Sequence, residues 1–409
     1  MLVIARSEAT KQSTLDFLPM DCFAALAMTE ASTRSPAKWL VRRHVEAIAQ
    51  AREKFAAEAR AFLTPGPRMV DELECVLSVL LAIVFGHLVG ATNISWAAFS
   101  GYMVMRGHVS ESFRRGVLRI LGTTTGAALA VATYPLVAVS PLALSAALAL
   151  IGGCSLYGAL THRHAYGFLF IGLTFSMIVL GYPESWIDLL AFARSRILEV
   201  IAGTTACVLV SMVSTLTLRQ KWPADLRPDS GVVRWHPDAA RHAAQGALAM
   251  ALLPPVHELW RLPELGQAAV AIMALMLVPA SRIGGSGLLP VSRRMMLRVA
   301  GCICGAALAA LILLVARGSA DILIAGALFG VMLGRHIENG ASPIAYSGTQ
   351  FTLAMLVALV PDSYVAPDPE AGVARLAGTM LGIALLEPVL AAFHVIPWMR
   401  AVAAKDKTS

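Results

Sequence analysis

Charge is scarce in this sequence. Only 14% of its 409 residues are Asp, Glu, Lys or Arg, while 57% are hydrophobic; a soluble globular domain carries about a quarter charged residues. That shortage excludes an ordinary water-soluble globule. Alternation of apolar and polar residues with period two is missing as well, which excludes a transmembrane β-barrel. The apolar residues run continuously instead, over lengths near the ~20 residues a helix needs to cross about 30 Å of hydrocarbon. The expected fold is therefore all-α, a polytopic membrane protein of about twelve transmembrane helices.

Other absences narrow the function. The six cysteines, Cys22, Cys75, Cys154, Cys207, Cys302 and Cys304, have no metal-ligand spacing. Cys302 and Cys304, two apart on a helix, point away from each other. They read as small core residues, with no metal site. A Gly-x-x-x-x-Gly-Lys-Ser/Thr phosphate cradle is lacking, so pumping would draw on an ion gradient or a partner. Neither a nucleophile elbow nor His-Glu-x-x-His occurs; no enzyme activity and no cofactor are expected. The net charge of +7 does not indicate nucleic acid, because the basic residues sit in short stretches between apolar runs, as orientation signals do.

What the sequence does have is internal repetition. Arg114-Arg115-x-x-Leu118-Arg119-x-x-Gly122-x-x-x-Gly126-Ala-Ala-Leu-Ala130 recurs 179 residues later as Arg293-Arg294-x-x-Leu297-Arg298-x-x-Gly301-x-x-x-Gly305-Ala-Ala-Leu-Ala309. Arg196 and Gly203 return at the same offset as Arg375 and Gly382, and Leu156-Tyr157-Gly158 with Arg163-His164 returns as Leu328-Phe329-Gly330 with Arg335-His336. Internal symmetry of this kind is how many transporters are built.

Residues 1–35 lack helical period and a secretory signal pattern, and are expected to be a disordered tail. They resemble a translated intergenic repeat element, which would put the true start downstream, near Met28. Residues 36–68 read as an amphipathic basic helix suited to an anionic leaflet. The first repeat (69–218) has spans near 72–90, 93–105, 116–135, 141–160, 166–182 and 194–217. After a cytoplasmic linker at 219–238, the second repeat (239–398) has spans near 240–257, 266–280, 295–316, 320–334, 345–361 and 373–396, then a tail at 399–409. Arginines concentrate in the loops of one side and acids in those of the other, which predicts both termini in the cytoplasm. Six spans per repeat make the two repeats parallel, related by an axis along the membrane normal.

Arg115 and Arg119, and likewise Arg294 and Arg298, are four apart and share a helix face at the start of the third and ninth spans. A helix start favours anions, and Arg can grip a carboxylate with two parallel hydrogen bonds. These four are the candidate substrate-binding residues; for Arg114 and Arg293 the plainer reading, anchoring at headgroups, is preferred. Gly122, Gly126, Gly301 and Gly305 read as helix-packing positions. Arg194, Arg196 and Arg375 stand against the charge rule at the opposite side; Arg196 is expected to pair with Glu199, the other option being an exit site for an anion. Glu387, before Pro388 inside the last span, is a candidate proton carrier, and Glu199 a second. His87 and His257 are weaker candidates, and Arg163-His164 and Arg335-His336 read as loop anchors.

Trp96, the block Arg115-x-x-x-Arg119-x-x-Gly122-Thr-x-x-Gly126 and Arg196-x-x-Glu199-x-x-x-Gly203 resemble the fusaric acid resistance (aromatic acid exporter) family, in two copies over about residues 70–398. The resemblance implies a Gram-negative inner-membrane protein exporting aromatic carboxylic acids, with a periplasmic membrane fusion protein and an outer-membrane channel as partners. The second copy departs from it, with Gln267 near the place of Trp96 and Gly378 at that of Glu199. The expected function is proton-driven efflux of small aromatic carboxylates through the repeat interface, with membrane lipid as surroundings and a homo-oligomer among the assemblies considered. The rivals are a passive organic-anion channel, since each half also resembles plant malate channel subunits, and a non-transporting assembly component.

Overall fold

The computed structural model of the protein describes residues 52–53, 56–224, 235–262, 265–279, 283, 287–340, 342–361 and 370–406. The tail 1–35, most of the amphipathic helix 36–68 and the middle of the linker 219–238 lie outside the described residues. The chain divides into two compact units, 1–64 and 65–409. In the first, residues 56–63 are helical.

The second unit consists of helices, with no strand among the described residues. Its first half has α1 (Pro67–Leu88), α2 (Ile94–Val104), α3 (Val109–Val137), α4 (Pro141–Thr161), α5 (Ala165–Val179) and α6 (Trp186–Leu216). Its second half has α7 (Pro237–Ala251), α8 (Leu265–Met276), α9 (Leu288–Ala316), α10 (Ala320–Asn339), α11 (Ala345–Leu359) and α12 (Glu370–Asp406). Helical segments therefore occupy all twelve stretches singled out by hydrophobicity. Among the described residues, six helices are long and apolar enough to cross a membrane: α3, α4, α6, α9, α10 and residues 373–395 of α12. The second and eighth, α2 and α8, have 11 and 12 residues, short of the ~20 needed for a full crossing.

Local chemistry sets the boundaries. Proline opens α1, α4 and α7, where its missing N–H costs nothing. Ser140 and Ser185 cap α4 and α6 by accepting from the Ala143 and Asp188 amides at 3.3 and 3.2 Å. The expected seventh span is split: α7 stops at Ala251 and a short helix runs Leu253–Trp260. Pro254 and Pro255 in that second piece have no amide to continue the ladder. A π-helical turn, Leu148–Gly152, interrupts α4.

Glycine brings the helices together. A Cβ on Gly126 would stand 2.5 Å from the Ile171 carbonyl of α5; on Gly301, 2.5 Å from the Ser347 carbonyl of α11; on Gly305, 2.6 Å from that of Phe351. The obstacle is backbone, which cannot rotate aside. Gly203 on α6 meets the Ala97 backbone of α2 in the same way, and Gly382 on α12 meets that of Ala268 on α8. So α3 packs on α5 as α9 packs on α11, and α6 on α2 as α12 on α8. Gly301→Val is expected to lower stability by about 3 kcal/mol or more, from overpacking, read as the thermal midpoint of the purified protein; Gly318→Val, at a position where the added Cβ meets nothing within 4 Å but φ is +87°, should cost only backbone strain of about 1–3 kcal/mol.

Between the halves, contacts occur in matched pairs: α1 with α10 and α7 with α4, α2 with α11 and α8 with α5. Each of the two hydrophobic cores accordingly mixes both halves. One joins α4 and α5 to α7 and α8, and the other joins α1 and α2 to α10 and α11.

Candidate functional site

The duplicated arginines point inward in a graded way. On α3, Arg114 is exposed, Arg115 half-buried and Arg119 only 2% exposed. On α9, Arg293 is exposed, Arg294 half-buried and Arg298 1% exposed. The i, i+4 spacing carries each pair from the helix start into the bundle. Arg114 donates to the Arg163 carbonyl at 3.1 Å.

Tyrosines complete both clusters. In the first half, Arg115 lies over the Tyr166 ring at 3.9 Å and donates to the Met103 carbonyl at 3.3 Å. Arg119 lies over Phe170 at 4.0 Å and donates to the Ser100 hydroxyl and the Tyr166 phenol, both at 3.1 Å. In the second half, Arg294 lies over Tyr346 at 4.1 Å and donates to the Ala274 carbonyl at 3.2 Å. Arg298 donates to the Tyr346 phenol at a longer 3.4 Å. A guanidinium on an aromatic face gains cation–π attraction while keeping donors in its plane for an anion.

At the starts of α6 and α12 the halves differ. Arg196, 4% exposed, forms the expected pair with Glu199, Nε to Oε2 3.1 Å. It also stacks on Trp96 at 4.6 Å and Phe192 at 5.0 Å. Glu199 further accepts from the Ser195 hydroxyl at 2.7 Å and the Asn93 amide at 3.2 Å. Arg375, 3% exposed, has no carboxylate within ion-pair distance among the described residues: its Nη1 donates to Gln267 Oε1 at 3.5 Å, and its guanidinium lies over Phe99 at 5.3 Å. Arg194 is exposed.

A cavity of about 490 Å³ opens beside these residues, lined among others by Trp96, Phe192, Arg196, Tyr182, His257 and Gln267. Both halves contribute to its wall. Tyr182, in the α5–α6 connection, takes a left-handed φ of 45° and stacks on His257 at 4.4 Å. A bulky residue there is strained, and the stacking on His257 places its ring at the cavity wall. Burial, and then the nearby Glu258 carboxylate, raise the Tyr182 phenol above its ordinary value, so it stays a neutral hydrogen-bond donor. His257 is further held by Nδ1 against the Leu262 carbonyl at 3.0 Å.

The other expected residues are dispersed. Glu387 lies on an exposed face of α12, and His87 is exposed at the end of α1, so neither joins the arginines. Arg163 and His164 do occupy a turn. Arg335 and His336 do not: they are buried in the last turns of α10, which corrects their reading as loop anchors. Arg335 grips Asp71 of α1 with both sides of its guanidinium, at 2.6 and 3.1 Å, and Glu338 lies 3.3 Å away. His336 Nδ1 meets Glu72 Oε1 at 2.7 Å, and Tyr102 donates to Glu338 at 2.6 Å. Arg219 holds Glu74 at 2.6 and 2.8 Å. This buried ionic network ties α1 to α10. Next to it, in the α2–α3 connection, burial and then the Arg115 charge push the Arg106 guanidinium down to about 9.

Sequence reasoning missed Tyr166 and Tyr346, although a repeated Ala165-Tyr166 and Ala345-Tyr346 stood in the text as a signal. It missed the acids of α1 because their partners are 264 residues away.

Long apolar helices packed through glycine, with guanidinium groups inside, define a multi-pass membrane protein. Residues 72–248 match the family model of the Fusaric acid resistance protein family, as the arginine–glycine block implied. The match covers the first half of the bundle and the start of the second. No curated protein matches the chain.

Proposed function

We propose that this transport-family membrane protein exports small aromatic carboxylic acids across the bacterial inner membrane, driven by the proton gradient. In this reading twelve spans form two parallel six-helix repeats with both termini cytoplasmic, and the path runs along the repeat interface. The reciprocal pairing of α1 with α10 and α7 with α4 supports that symmetry, since a two-fold axis exchanges such contacts. One observation carries the reading: Arg119 and Arg298 are buried against aromatic and phenolic groups inside the bundle, where anchoring to headgroups is impossible. An arginine at membrane depth needs a functional or ionic partner.

The cavity supplies the aromatic side of recognition. Its volume falls in the ~300–1,000 Å³ range of small-molecule sites. Trp96, Phe192 and Tyr182 offer ring faces, and Arg196 and Gln267 polar ends. Of the two acids expected to carry protons, Glu199 has the better position, beside Arg196 at the cavity. Protonating Glu199 would release Arg196 for a substrate carboxylate; Glu387 would need cover from outside the chain. A periplasmic membrane fusion protein and an outer-membrane channel are the partners proposed for carriage beyond the membrane.

Labelled benzoate-type acids in inside-out vesicles test this directly. Uptake should exceed the equilibrium level only when a pH gradient is imposed. Uptake that never exceeds equilibrium, with currents far above carrier turnover, would make the protein a channel.

A further inference from the structure

The two halves repeat the same arginines but do not neutralise them equally. In the first half Arg119 has two short hydrogen bonds, to Ser100 and Tyr166, and Arg196 has Glu199. In the second half Ala271 packs against Gly382 in the part of α8 that matches Ser100 and Gly203, so the hydroxyl is gone. Gly378 stands 179 residues after Glu199, so the carboxylate is gone too. Arg298 and Arg375 are both more than nine-tenths buried, yet neither has a carboxylate within ion-pair distance among the described residues. Among the described residues, the Nε atoms of both lack a hydrogen-bond partner, as do Gln350 Oε1 and Thr379 Oγ1 on α11 and α12.

Arg298 and Arg375 stand on α9 and α12, which pack directly against each other, and Cys302 lies one turn beyond Arg298, halfway along α9. Two like charges buried together without a counter-ion are strongly unfavourable. An anion between them would remove the repulsion and satisfy the unused donors. Arg375 also reaches Gln267, which lines the cavity, so such an anion would lie next to the cavity wall.

We propose that Arg298 and Arg375 form a single carboxylate-binding site in the second half of the bundle, while Glu199 fills the equivalent place in the first half as a built-in counter-ion. The chemical class is a monovalent organic carboxylate, held by guanidinium donors with Tyr346 and Gln267 as neutral neighbours. The inference rests on the reading of the protein as a carrier of organic anions. It adds an asymmetry: one half holds the cargo, and the other keeps its own acid.

The test is equilibrium binding to the purified full-length chain in nanodiscs, with labelled benzoate and, separately, iodide as a small anion. One benzoate per chain is expected. Arg298→Gln and Arg375→Gln should each weaken it about 30-fold, the scale of a charged hydrogen bond, whereas Arg114→Gln and Arg293→Gln, at exposed positions of α3 and α9, should change it by less than about 3-fold. Glu199→Gln, by uncovering Arg196, should raise the stoichiometry towards two. Where a Gln variant fails to fold, the Lys variant keeps the charge but loses the planar fork, and the same order of losses is expected. Losses as large in Arg114→Gln and Arg293→Gln would overturn the buried site, and an unchanged stoichiometry in Glu199→Gln would overturn the asymmetry while leaving carboxylate transport intact. Iodide binding with the predicted pattern but no benzoate binding would keep the anion site and refute the aromatic substrate. Binding of neither anion would refute both.

Discussion

Arg335→Leu is expected to destabilise the protein by about 3–5 kcal/mol, the loss typical when one member of a buried ion pair is removed. Arg335 is buried in α10 with Asp71 of α1 against both sides of its guanidinium. Removing it leaves the Asp71 carboxylate among apolar helices, with the Asn339 amide at 2.7 Å and Arg219 at 3.8 Å as its remaining partners. The double variant Asp71→Leu/Arg335→Leu should recover most of the loss, because two apolar groups leave no uncompensated charge. Thermal unfolding of both variants in one detergent checks this. A double variant no better than the single would mean that Glu338 and Arg219, not Asp71, dominate the network.

Glu199→Gln should separate transport from its driving force. With Glu199 ionised, Arg196 is held at 3.1 Å in a buried pair; glutamine keeps the shape but cannot exchange a proton. With one proton exchanged per acid, each pH unit of gradient supports about tenfold accumulation. The variant should accumulate at a ratio near one while still equilibrating substrate downhill. Full gradient-driven accumulation in Glu199→Gln would move the proton site elsewhere. Glu387→Gln, on the exposed face of α12, is expected to retain accumulation.

Much of the architecture was legible because continuous apolar runs have one physical solution in a membrane: a helix that satisfies its own backbone. The boundaries were less so. The third and ninth spans were expected from 116 and 295, but α3 and α9 begin at Val109 and Leu288. Hydropathy stops at Arg114-Arg115 and Arg293-Arg294, while the helical backbone continues through them. The break between Ala251 and Leu253 was written in Pro254-Pro255, yet the apolar run hid it.

The site was legible in half. Repetition exposed Arg119 and Arg298, and i, i+4 spacing gave their common face, because both are local properties of one helix. The rings beneath them come from α5 and α11, and the acids that hold Arg335 and His336 come from α1. Such contacts depend on how helices distant in sequence meet, which periodicity does not carry. Glu387 shows the same limit from the other side. An acid inside an apolar span is unusual enough to attract a function, but its face depends on packing, and that face is exposed.

Transport by two neighbouring arginine variants offers the most direct decision. Arg293 and Arg298 share α9, five residues apart, one exposed and one buried. In inside-out vesicles with matched protein levels, Arg298→Gln should reduce labelled benzoate uptake about 30-fold, and Arg293→Gln should leave it within about twofold. Equal uptake by the two variants would show that the guanidinium buried in the bundle does not handle the cargo.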